Sequence, residues 1–156
     1  MVEIEYKKAK VENLEELVGL RLKVLKVANK LNDSEDMGNI PENTRNYYKN
    51  ALNGKDCTII LAYDKDKIVG CGGASYYDVM PTCDNPTGKN AYIMSMYTDL
   101  DYRRKGIANH ILQILMEDIS EKNIVRVTLE ATDMGKELYK KNGFMFMENE
   151  MCRFLK

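Results

Sequence analysis

The sequence predicts a single mixed α/β domain, with a central mixed sheet and helices on both of its faces. Three observations lead there. The 156 residues suit one hydrophobic core rather than two. Runs of alternating apolar and polar residues are interspersed with segments whose apolar residues recur every three or four positions. Strand runs in the middle of the chain are joined by a turn, as antiparallel pairing permits, while those of the second half are separated by helical segments, as parallel pairing demands.

Residues 2–7 alternate as a first strand. A helix follows, in which Leu14, Val18, Leu22 and Leu25 recur on one face and Leu17 and Val24 widen it. NKLNDSEDMGNIP reads as a loop, and residues 41–52 as a shorter helix with Pro41 in its first turn, where its missing N–H costs nothing. Residues 58–63 and 68–77 form a hairpin across DKDK. Gly70, Gly72 and Gly73 interrupt the second of these strands, marking a bulge or close backbone packing, with approach of a substrate to the backbone as the alternative. The long polar segment YDVMPTCDNPTGKN precedes a strand at residues 91–98. The helix at 106–120 carries Ile107, Ala108, Ile111, Leu112, Leu115 and Ile119 on one side and His110, Gln113 and Glu117 on the other. A strand at 125–131, a short helix at 133–142 and a terminal strand pair, 144–147 with 151–155, complete the chain. No repeat or second domain is evident, so residues 1–156 read as one domain. The order is not that of a purely doubly wound dinucleotide fold.

A formal charge of −1 provides no general attraction for nucleic acid. The N-terminal MVEIEYKKAK lacks the apolar segment of a secretory leader, and no run approaches the roughly 20 residues that cross a bilayer. A cytoplasmic protein without a membrane partner is expected. Cys57, Cys71, Cys83 and Cys152 are widely spaced, form no CxxC and are accompanied by the lone His110, so neither a disulfide framework nor a metal site is expected.

The sharpest local signal is DYRRKGIAN, residues 101–109. A strand followed by a basic turn and a glycine at a helix start can aim several backbone N–H groups, and the positive helix end, at an anion such as phosphate. Gly106 admits close backbone approach and Ala108 leaves room beside it. Arg103, Arg104 and Lys105 can add charge-assisted contacts around a diphosphate. The turn is neither a P-loop nor GxGxxG. A second signal is GKELYKKNGF, which sets Tyr139 in a helix that stops at Asn142-Gly143. A phenol beside a thiolate leaving group can donate its proton as acyl transfer completes.

RRKGIA, with Arg103, Gly106 and Ala108, resembles the (Q/R)xxGx(G/A) motif of the GCN5-related N-acetyltransferases, and LYKKNGF resembles their LYxxxGF segment. The order of elements around both motifs is similar to that family across the whole chain. The resemblance implies a sheet, mostly antiparallel, that splays between two parallel strands. It implies acetyl-CoA as acetyl donor, its diphosphate on backbone amides from Arg104 through Ile107 to Ala108, and its pantetheine arm on the main chain of Met96, Tyr97 and Thr98. Asn109 would border the phosphates. A backbone N–H near Met96 or Tyr97 would polarise the carbonyl, and Tyr139 would serve as general acid. Glu130, or else Asp99, would act as base, unless the amine loses its proton to solvent first. Gly135 and Thr132 stand where many relatives have alanine and asparagine.

The implied acceptor is an amine, expected to be a small molecule, bound between residues 29–41, residues 72–90 and the sheet edge after Glu130. Glu35, Asp36 and Asp78 are candidates to attract a cationic amine, and Tyr47, Tyr76, Tyr77 and Tyr92 to wall the pocket. A protein or peptide amine as acceptor and a non-catalytic acyl-CoA sensor are the alternatives, and a homodimer is common in the resembled family, although the sequence identifies no interface.

Overall fold

The computed structural model describes residues 2–155. The strands are β1 (Ile4–Lys8), β2 (Cys57–Asp64), β3 (Lys67–Asp78), β4 (Lys89–Thr98) and β5 (Arg126–Leu129), which join as one five-stranded sheet in the order β1-β2-β3-β4-β5. The first three junctions are antiparallel and β4 with β5 is parallel. β2 is a near-continuous apolar run because both faces of the sheet are covered here. Ile59 and Leu61 face one core, Ile60 and Ala62 the other, as the two-residue period of a strand requires. Lys65 takes φ 56° in the two-residue turn to β3, the positive φ that tight hairpins need.

Two helices cover the first face. α1 (Leu14–Ala28) and α2 (Ile40–Gly54) bury Leu17, Val18, Val24, Tyr48 and Ala51 against Ile59, Leu61 and Cys71. On the second face α3 (Ile107–Glu121) buries Ile107, Ile111, Leu112, Leu115 and Ile119. Each of these side chains contributes about 1.5–3 kcal/mol on removal from water. Asp118 of α3 adds a polar tie: its carboxylate lies 2.6 Å from Lys8 Nζ, Thr58 Oγ1 and the Tyr76 hydroxyl, linking the helix to β1, β2 and β3. Burial acts to raise the Asp118 pKa, but these hydrogen bonds outweigh it and hold the carboxyl well below its usual range. The β4-α3-β5 connection is the crossover that parallel neighbours require.

Several expectations need correction. The terminal strand pair is absent: residues 144–155 form no strand, and Met145, Phe146, Met151, Phe154 and Leu155 are exposed. Alternation makes a strand only where an edge accepts it. Here Gly143, at φ 84°, folds Phe144 back so that its ring meets Tyr139 edge-on at 5.8 Å, and the chain then runs on without ladder bonds. The segment leans on the body through side chains, with Arg126 bonded to Glu150 at 2.7 Å and Lys136 and Lys140 over the Phe146 ring. The crossover read into residues 133–142 therefore leads to no further strand. Its helix, α4, is only Lys136–Lys141, because Thr132 closes a turn ahead of it through bonds from Gly135 N to its carbonyl and hydroxyl oxygens. β5 ends at Leu129 rather than 131, for a reason that lies in β4.

Candidate functional site

β4 turns away from β5 halfway along its length. Met94 pairs with Gly73 and Tyr97 with Cys71, so Ser95 and Met96 together oppose Gly72. Two residues opposite one constitute a β-bulge, and Ser95 enters it at φ 59°. Gly72 makes the bulge feasible: a Cβ there would lie 2.3 Å from Met96 Sδ and 2.6 Å from Ile111 Cγ2. The glycine-interrupted strand is thus a matter of bulge and close packing. Cys71 Sγ donates to Ser95 O at 3.2 Å and holds the bent strand. β4 and β5 pair only from Asn90–Arg126 to Ile93–Leu129, leaving the β4 main chain from Met94 to Thr98 without a strand on the β5 side. The sheet is splayed there.

Beyond Thr98 the chain makes a short 3-10 turn, Leu100–Tyr102, and reaches α3 through Arg103, Arg104, Lys105 and Gly106. Tyr102 donates to Asp64 Oδ2 at 2.6 Å and pins this turn to the β2–β3 hairpin. Arg104 and Gly106 both have positive φ, 59° and 80°, and space around Gly106 is open where a side chain would stand. No side chain caps the N-terminus of α3, so its first N–H groups are available to an acceptor from outside. Among the described residues, Thr98 Oγ1 is the buried side-chain polar atom lacking a partner. An open glycine, uncapped amides and an orphaned hydroxyl at the end of an unpaired strand edge fit the diphosphate and extended amide arm of coenzyme A. The basic residues differ in their commitments. Arg103 Nε donates inward to Thr98 O at 3.1 Å, while Lys105 stacks over Tyr102 and Arg104 is exposed.

Tyr139 is buried on α4, 8% exposed, and burial alone pushes its phenol above the ordinary 10.0. Such a phenol stays protonated at neutral pH. α4 is fastened to α3 by Asn142 Nδ2, which donates to Asn109 Oδ1 at 2.9 Å and to Leu138 O. Asn109 is thereby engaged in positioning the Tyr139 helix. Of the two carboxylates considered as bases, Glu130 is exposed past the end of β5. Asp99 is paired with Lys23 at 2.9 Å and Lys67 at 3.2 Å. Burial acts to raise its pKa, but hydrogen bonds from Lys23, Tyr97 and Lys67 prevail and lower it, which makes it a poor proton acceptor. Among the described residues no group of three or more His, Cys, Asp or Glu side chains could hold a metal ion, and no helix is long and apolar enough to cross a membrane.

A cavity of about 330 Å³ adjoins the bulge on the opposite face from α3. Gly73, Ala74 and Ser75 of β3 and Met94 and Ser95 of β4 form its floor; α1 and α2 wall it with Arg21, Tyr47 and Tyr48. Tyr47 shares a 2.6 Å hydrogen bond with Ser75, and burial pushes the Tyr48 phenol up to about 12. The acidic residues expected to attract the acceptor are elsewhere. Asp36 accepts from Gly38 N and Glu35 from Asn32 N in the α1–α2 loop, and Asp78 lies at the far end of β3. Of the four tyrosines expected as walls, Tyr47 alone lines this cavity; Tyr76 is bound to Asp118 on the other face.

The sequence profile described as the Acetyltransferase (GNAT) family matches residues 25–144. The chain belongs to the GNAT acetyltransferase family. Among solved structures, this GNAT chain is similar to a predicted acetyltransferase from Clostridium acetobutylicum determined with acetyl-CoA, with TM-score 0.89 and 28% identity over 97% of this chain and 96% of that one. It shares the fold of a GCN5-related N-acetyltransferase from Ralstonia eutropha JMP134, with TM-score 0.84 and 20% identity over 98% and 99% of the two chains. An uncharacterized N-acetyltransferase, YsnE, of Bacillus subtilis (strain 168) is 28% identical over 102 residues, 62% of this chain and 62% of that protein. The matched part thus spans less than two thirds of that relative. The mixed, mostly antiparallel sheet with helices on both faces is that of the GNAT fold.

Sequence reasoning missed Arg21, Ser75 and Ser95 as functional candidates of this GNAT domain. Arg21 lies within an amphipathic helix and 74 positions from Ser95, the side chain its Nη1 reaches at 3.3 Å. The strand serines sit in runs whose apolar neighbours dominate the pattern. Only the glycines of β3 offered a clue that a bulge lay nearby.

Proposed function

We propose that this protein transfers the acetyl group of acetyl-CoA directly to the amine of a small molecule. The observation that carries the reading is the junction at the end of β4, where a strand edge freed by the bulge runs into an uncapped helix N-terminus with an open glycine. Backbone amides from Arg104 through Ile107 to Ala108 would hold the diphosphate, with Arg104 and Lys105 adding charge. Arg103 shapes the turn by bonding Thr98 O. The main chain of Met96, Tyr97 and Thr98 would pair with the pantetheine amides as an added strand does, and Thr98 Oγ1 would gain a partner. Acetyl-CoA supplies an activated thioester when bound.

The residues of the chain then have distinct tasks. A backbone N–H in the Met96–Tyr97 region would meet the negative charge that develops on the acetyl oxygen, the kind of fixed donor that stabilises a transition state most effectively. The cavity orients the amine, and that orientation supplies much of the rate. As the C–N bond forms and the C–S bond breaks, Tyr139 gives its phenolic proton to the departing sulfur and regains one from solvent. The nitrogen proton leaves to water, because Asp99 is held by two lysines and Glu130 stands outside the cavity.

Titration calorimetry with acetyl-CoA, ATP and NAD at matched ionic strength tests the cosubstrate. Saturable binding at one site per chain, selective for acetyl-CoA, is expected; folded protein that fails to bind it overturns the reading. Tyr139→Phe tests the chemistry. Turnover is expected to fall about 100-fold with acetyl-CoA affinity unchanged, and equal turnover in the two proteins removes Tyr139 from the mechanism. Binding without turnover of any amine identifies a sensor instead.

A further inference from the structure

The cavity beside the bulge has one charged residue in its lining, Arg21. The Tyr48 phenol and the Cys71 thiol lie within its electrostatic reach, and its Nη1 donates to Ser95 Oγ at a long 3.3 Å. Among the described residues no carboxylate forms an ion pair with it. On the same helices Lys23 is paired with Asp99, Arg45 forks onto Glu15 through two bonds of 2.8 and 3.0 Å, and Lys26 donates to the Asp33 carbonyl; none of these three lines the cavity. A half-buried guanidinium with no counterion, in a space of about 330 Å³, is arranged for a planar anion. Hydroxyls of Tyr47, Ser75 and Ser95 can complete its hydrogen bonds, while Ile40, Ile59 and Met94 offer apolar contact.

We infer that the acceptor is an amine that also bears a carboxylate, an amino acid or a close analogue, with its carboxylate on Arg21 and its nitrogen toward Met94 and Ser95. The inference rests on the acetyl transfer proposed above. Charge decides the class. A purely cationic acceptor meets an uncompensated guanidinium and no acid in the cavity, whereas a carboxylate supplies the missing counterion. The guanidinium reaches the bulge itself, 3.3 Å from Ser95 Oγ, so a carboxylate on it and an amine directed at the bulge must be joined by a short frame, as they are in an amino acid.

The test compares each proteinogenic L-amino acid with the amine left when its carboxylate is removed, such as leucine with 3-methylbutylamine and phenylalanine with 2-phenylethylamine. Aminoethyl phosphate is included as a phosphate-bearing amine. Release of free coenzyme A is measured at saturating acetyl-CoA. We expect kcat/KM for at least one amino acid to exceed that of its decarboxylated partner about 100-fold or more. Arg21→Gln should raise KM for that amino acid at least about tenfold and erase most of the preference, and Arg21→Lys should restore part of it. Circular-dichroism spectra and Tm of the same variants should match those of wild type, which separates recognition from misfolding. Decarboxylated amines used as well as amino acids overturn the inference while leaving acetyl transfer intact. Aminoethyl phosphate preferred over every amino acid overturns the carboxylate in favour of phosphate. Acetyl-CoA bound with no amine turned over removes both readings.

Discussion

Gly72 and Met96 occupy one volume by agreement: the first has no side chain where the second places its sulfur. Gly72→Ala sets a methyl within 2.6 Å of both Met96 and Ile111, and neither neighbour can retreat from a packed layer without cost. A loss of about 1–3 kcal/mol and a Tm lower by several degrees are expected by calorimetric scanning. Asp118 provides a second test. Asp118→Asn keeps the shape but removes the charge that three donors share, costing about 1–3 kcal/mol at neutral pH. Since the folded pKa lies below the unfolded one, this stability is fully present above the unfolded value near 4 and disappears as pH falls toward the folded value. The Tm difference between wild type and variant should therefore narrow below about pH 4. The glycine was legible in the sequence as a bulge marker, since glycine inside a strand run has few other uses. Asp118 was not, because nothing local distinguishes a helix-surface acid from one that meets Lys8, 110 positions away.

At the level of elements, the turn before α3 was the most legible feature, for a local reason. The task proposed for it rests on backbone geometry, and backbone geometry is written in adjacent residues such as Gly106. Gly106→Glu places bulk, strain and negative charge where the φ of 80° leaves open space. Acetyl-CoA affinity is expected to fall at least about tenfold by calorimetry, with the circular-dichroism spectrum retained. The short reach of β5 was hidden, because residues 125–131 have strand composition and pairing is decided by the bend in its neighbour β4. The placement of the acidic residues outside the cavity was hidden for a related reason. Acidic residues in the α1–α2 loop look available on paper, yet Asp36 and Glu35 are spent closing that loop's own turns.

For the whole molecule, the helices on both faces, the β2–β3 hairpin and the crossover through α3 followed from period and connection length, which are properties of continuous segments. The final residues did not follow. Their alternation signalled a strand, but whether a strand forms depends on a partner edge. The outer edge of β5 and the exposed run containing Met151, Phe154 and Leu155 are both without a partner among the described residues. Mutual coverage between two copies would remedy both at once. Sedimentation velocity is expected to show a dimer that Phe154→Lys weakens; a monomer at all concentrations rejects that expectation. α1 holds β4 at its bend and just past its end, with Arg21 on Ser95 and Lys23 on Asp99. An acceptor bound to Arg21 would compete for the contact that Arg21 makes with the strand proposed to carry acetyl-CoA. The two ligands would then be thermodynamically linked, and linkage is reciprocal: whatever factor the acceptor changes in acetyl-CoA affinity, acetyl-CoA must return to the acceptor.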